Sequence, residues 1–298
     1  MIVDVAERAR IQRKVLRVLT AGQIVGSAAL SAAVTVGAFV IQDILGQDTP
    51  LGGMATAMVT VGTAVMAQRL ARFMNVNGRR KGLALGYGLA LVGGLVAGVG
   101  VESSNLVVFL IGLFLFGNGQ ASNLLSRYAA MDLAEPERRG AAMSRVLFAS
   151  TFGAVFGPVL IKPAETLGQS LFGWSLYTGP WIFSGLFFSA SFVNVMIRLR
   201  PDPLEVAGRL GVTESTSRSL SDIAVPLRHS RESRLGLIAM AVSQMTMVAV
   251  MTMTPVHLKL HGHEDVSAFI ISLHIAGMYA FSPLIGRFSD AYGRTRAI

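Results

Sequence analysis

Six side chains combine hydrogen-bonding chemistry with surroundings that are otherwise apolar: Gln23, Asn118, Gln120, Asn123, Gln244 and His274. An amide carries donors and an acceptor, and burying it is costly unless something answers both. The chemistry this offers is recognition, either of a solute or of a neighbouring helix. His274, in IISLHIAGM, is the one ionisable side chain placed well inside an apolar run. It would act as a proton switch near neutral pH or as a neutral hydrogen-bonding group. Ser27, Ser31 and Thr35 share a helical face by their spacing, but such hydroxyls usually bond their own backbone. Carriers of covalent or metal chemistry are missing. There is no cysteine, and five scattered histidines make no ligand set. No His-Glu-x-x-His pair, serine elbow or phosphate-cradling loop occurs. No cofactor, no metal and no enzymatic reaction are expected.

The elements that must position these groups are membrane helices. Apolar residues make up 52% of the 298-residue chain and charged residues 14%, with a mean hydropathy of +0.56. Soluble domains average about a quarter charged residues. Eight apolar runs are long enough to cross a hydrocarbon core as helices, at 18–41, 51–68, 83–100, 106–126, 142–161, 177–197, 235–256 and 267–286. Runs such as LALGYGLALVGGLVAG are poor helices in water, yet in lipid their small residues let helices approach closely.

The basic residues fix an orientation. Of the 26 lysines and arginines, all but Lys162 and Lys259 fall in alternate connections, which places those connections and the N-terminus in the cytoplasm. This spread over short membrane loops, with no aromatic-studded patch, excludes a nucleic-acid partner despite a net charge of +9. One connection is longer than the rest. Residues 199–234 carry Pro201, Pro203 and Pro226, and read either as a tether or as a segment with a short amphipathic helix on the inner surface.

A repeat ties the two parts together. ARFMNVNGRRKGL, starting at Ala71, and GRFSDAYGRTRAI, starting at Gly286, share Arg, Phe, Gly and Arg in register and each follows an apolar run. Six spans, a long basic connection, further spans and this repeated motif resemble the major facilitator superfamily of secondary transporters. The second copy keeps Gly286, Asp290, Gly293, Arg294 and Arg296, while the first keeps Gly78, Arg79, Arg80 and Lys81 but has Ala71 and Asn75 for the Gly and Asp. Gly153, Gly157 and Pro158 in the fifth span look like the core of the family's antiporter motif, whose longer form is not met. Both readings, exporter motif and plain packing face, stay open. The resemblance implies that Asp290 docks near Met143 to Arg145 at the start of the fifth span. The fourth span lacks the arginine that the family often carries there, with none before Arg127, so the usual proton-coupling group is not evident.

Together these readings give an all-α polytopic membrane protein. Residues 1–198 form a six-helix bundle, 199–234 a cytoplasmic linker, and 235–298 the first two helices of a second, incomplete bundle, as if truncated after the eighth span. The resemblance implies a monomeric inner-membrane carrier of a small molecule working by alternating access, with protons as the candidate coupling ion. Efflux is the first reading, nutrient uptake the second, and a non-transporting scaffold the third.

Overall fold

The computed structural model describes residues 4–46, 49–135, 138–211 and 230–280. The second motif copy (Gly286, Asp290, Gly293, Arg294, Arg296) and its expected docking contact lie outside the described residues. The described residues are helical throughout and contain no strand. In chain order the helices are α1 (Val5–Leu45), α2 (Met54–Asn77), α3 (Arg79–Glu102), α4 (Leu106–Ala129) and α5 (Arg139–Phe156). They continue with α6 (Ile161–Phe172), α7 (Thr178–Arg198), the single turn α8 (Pro203–Val206), α9 (Arg231–Leu260) and α10 (Glu264–Ala280). Among the described residues seven stretches are long and apolar enough to cross a membrane, α5 and α6 counting as one, and α10 contains a shorter apolar helix.

Small residues bring these helices together. α3 packs between α4 and α7, α1 against α5 and α7, and α2 against α4. At the α3–α7 crossing a Cβ on Gly94 would lie 2.9 Å from Gly185 Cα, so the backbones touch where any side chain would part them. Trp181 fills the centre, edge-on to Phe109 at 5.2 Å and to Phe116 at 5.5 Å. Aromatic pairs of this geometry add to simple burial.

Several sequence expectations are corrected. α1 begins at Val5 rather than near residue 18, taking the basic N-terminal segment into the helix, because Ile11, Val15 and Val18 present a buried apolar face. The reversal expected as a 2–3 loop is the single residue Gly78 at φ 93°, ψ 160°, conformational space open to glycine alone. Asn75 therefore lies in the last turn of α2, and Arg79, Arg80 and Lys81 form the first turn of α3. The fifth span does not stop at 161. It breaks at Gly157, turns through Pro158–Leu160 and resumes as α6 to Phe172, since proline removes one donor from the ladder. Gly153 and Gly157 press α5 onto α1, where a Cβ would meet Ile24 O and Ala28 O respectively.

The segment after α7 holds the single turn α8 and is bonded to the bundle over its first part. Residues 199–211 fold across the arginine-rich end of the bundle. Asp202 accepts from Arg80 N–H at 2.8 Å and from Leu204 N–H at 2.9 Å. Arg209 donates to Asp132 O at 2.7 Å, and Gly211 N–H to Asn75 O at 2.9 Å. Residues 212–229 lie outside the described residues.

Candidate functional site

A cavity of about 280 Å³ lies between the α1–α7 group and the α9–α10 pair. One wall is α4, whose Gln120, Asn123 and Arg127 face it together. Their spacing of three and four puts them on one helical face. Thr56, Thr60 and Thr63 of α2 stand beside them, also one helical stripe. The opposite wall is α9, with Gln244, Met247 and Met251.

The hydrogen bonds decide what each wall presents. Thr60 O–H donates to Thr56 O at 2.8 Å, and Thr63 O–H to Val59 O and Gly117 O at 2.9 Å each. Gln120 Oε1 lies 3.3 Å from Thr63 Oγ1, whose single proton has those two carbonyls as nearer acceptors. Asn123 Oδ1 accepts from Tyr87 O–H at 2.9 Å, while its Nδ2 is buried with no partner among the described residues.

The six polar residues singled out in the sequence divide. Gln120, Asn123 and Gln244 line the cavity. Gln23 is buried behind it, where Ser126 O–H donates to its Oε1 at 2.8 Å, so it joins α1 to α4. Asn118 is fully buried and donates to Leu115 O at 2.7 Å. His274 on α10 is half-buried outside the lining, with its Nε2 lacking a partner among the described residues. Arg127, read in the sequence as part of a cytoplasmic loop, instead sits in the last turn of α4 and lines the cavity. A heptad count from Gln120 would have found it.

Two ion pairs stand at opposite ends. Beside the arginine-rich end, Arg79 meets Asp132 with both oxygens, at 2.8 and 3.2 Å, and the side chains are 12% and 4% exposed. A bidentate guanidinium–carboxylate pair with this little exposure ties the start of α3 to the turn after α4. At the far end Lys259 of α9 bonds Asp43 of α1 at 2.8 Å, its Nζ lying 5.0 Å from the Phe39 ring and 5.4 Å from Tyr177. Thr56 and Thr252 touch at 3.3 Å nearby, and α9 keeps its two buried residues, Thr252 and Pro255, in that same third. Glu102, also at this end, accepts from Ser175 N–H and Thr178 O–H and so ties α3 to the start of α7.

Membrane-length helices packed around a cavity, with a glycine reversal and a basic first turn between α2 and α3, define a polytopic membrane protein. The chain belongs to the Major Facilitator Superfamily, whose model matches residues 19–298. It is 38% identical over 294 residues to the uncharacterised MFS-type transporter YddS of Bacillus subtilis, and 35% identical over 290 residues to YdeG of the same organism. The alignments take in 96% and 95% of this chain, which spans 66% of the length of each relative. The riboflavin transporter RfnT of Brucella anthropi is 26% identical over 286 residues, covering 95% of this chain and 69% of the relative. The fold is similar to that of the Escherichia coli xylose transporter XylE in a partially occluded inward-open conformation, with TM-score 0.63 and 16% identity, covering 96% of this chain and 72% of that one.

Proposed function

We propose that the protein is a secondary carrier of a small molecule across the inner membrane, working by alternating access, with export as its direction. The observation that carries this is the cavity between the two helix groups, latched at one end by Lys259 and Asp43 and reaching Arg127 toward the other. A site near the middle, bounded by both groups and closed at one end at a time, is what alternation requires. With the basic turns and the N-terminus in the cytoplasm, the latch is the outer gate and the cavity faces inward. Residues 1–198 then act as one rocking unit and 235–298 as part of the other, joined by 199–234.

The second reading is uptake of a nutrient or metabolite. RfnT is by name a riboflavin transporter, and its similarity over 95% of this chain favours a metabolite as cargo. Metabolite profiling of medium and cell extract, with and without expression of the protein, separates the readings. Export enriches one class of solute in the medium, and uptake depletes it there. No difference under any growth condition supports the scaffold and removes the carrier.

A further inference from the structure

We propose that Phe39, Tyr177 and Asp43 form a binding site for a primary alkylammonium group at the end opposite the arginine-rich turns, and that Lys259 fills it here as a tethered ligand. The site needs only that Lys259 leave it. Its emptying in a working cycle rests on the alternating-access reading.

Three groups converge on one ammonium. Lys259 Nζ lies 2.8 Å from Asp43 Oδ1, 5.0 Å from the centre of the Phe39 ring and 5.4 Å from that of Tyr177. An ammonium within about 6 Å of a ring centre is drawn to the negative face of the ring. The two rings are 5.8 Å apart and tilted by 38°, so they form two sides of one recess. Phe39 and Asp43 stand four residues apart on α1, which puts ring and carboxylate on the same helical face.

The backbone keeps that recess in place. Tyr177 sits at φ 69°, ψ −11°, left-handed space that a side chain of this size rarely occupies. A residue held there persists only where its surroundings over-determine it. Glu102 grips the turn on both sides of Tyr177, accepting from Ser175 N–H at 2.9 Å and from Thr178 O–H at 2.8 Å.

Ownership and access complete the argument. Both rings and the carboxylate belong to the α1–α7 group, and the cation alone comes from α9. When α9 moves off, two ring faces and an anion stay behind with no cation between them. The rings are buried and Asp43 is exposed, so a solute meets the carboxylate first and the rings second. A lysine ammonium is a compact charge with three donors on a flexible stem. A solute ending in a primary ammonium offers the same contacts. It competes with a tethered lysine whose effective concentration is on the order of millimolar.

The test uses n-propylammonium, which replaces the atoms that Lys259→Ala removes, against its neutral isostere 1-propanol. Binding is read as saturable thermal stabilisation of the full chain in lipid nanodiscs. Lys259→Ala should bind the ammonium about tenfold more tightly than the alcohol, the effect of a charge-assisted bond joined to a cation–π contact. Adding Asp43→Asn or Phe39→Leu should erase that preference, and melting temperatures without solute separate a folding defect from lost recognition. The unaltered chain should bind the ammonium about tenfold more weakly than Lys259→Ala, because its own lysine competes. Equal binding of ammonium and alcohol by Lys259→Ala, a preference that survives Asp43→Asn, or equal affinity of both chains for the ammonium overturns the inference. The carrier reading is decided apart from this, by the metabolite profiles. Ammonium binding with unchanged profiles keeps the site and removes the carrier, and changed profiles without ammonium binding do the reverse.

Discussion

The two ion pairs at opposite ends are alike in distance and in the cover over their cations, Arg79 at 12% and Lys259 at 13% exposed, and differ in their carboxylates, their bond count and the elements they join. Arg79 and Asp132 are both largely buried and bonded twice, and they join the first turn of α3 to the turn that follows α4 in the same group. Lys259 and Asp43 make one contact, Asp43 is 42% exposed, and the contact joins α9 to α1. A pair that must hold is sealed from water and doubled, while a pair that must release stays single and wet. Removing one partner of a buried pair strands a charge, whereas an exposed pair contributes little to stability. Under the alternating-access proposal, the first pair keeps shape and the second is the one that opens.

The sharpest way to break the comparison is Asp132→Ala. It leaves the Arg79 guanidinium buried without its carboxylate and should cost roughly 3–5 kcal/mol, seen as a large fall in melting temperature in detergent. Gly78→Ala comes next. Its Cβ would sit in glycine-only backbone space and against the Asp202 carboxylate, for about 1–3 kcal/mol by the same measurement. Lys259→Ala should change stability by only ~0.2–1 kcal/mol, yet lengthen the mean distance between spin labels at positions 52 and 256. The chain has no cysteine of its own, so both sites label cleanly. Gly52→Cys with Val256→Cys sharpens the same point. A Cβ at residue 52 would lie 3.6 Å from Val256 Cγ2, so oxidation should close a disulfide, stop flux, and release it on reduction. His274→Ala, away from the cavity, should leave the pH profile of flux unchanged.

Much of this was legible beforehand because hydropathy and charge are one-dimensional. A run of twenty apolar residues is a span whatever it packs against. What packs inward is not one-dimensional. Asn118, Gln120 and Asn123 lie within six residues on α4, yet the first is walled in beside α3 while the others face the cavity, since a helix turns about 100° per residue. Arg127 was misplaced because positive-inside counting sorts basic residues by loop and is blind to a helix's last turn. Gln244 was found because amides are rare enough in an apolar run to stand out. The glycine reversal at residue 78 and the break at 158 were marked by residue type, but how far α2 and α6 would run past them depended on their neighbours.

The interruption of the fifth span has a mechanical consequence. α10 leans on α5 and on the short turn Pro158–Leu160, with Ile271 and Ile275 against Ala154. Pro158 has no amide hydrogen, so the carbonyl one turn before it was never committed to the ladder. The two helix groups thus bear on each other where the main chain already has slack. A fulcrum placed there lets one group tip against the other without rupturing a single backbone bond.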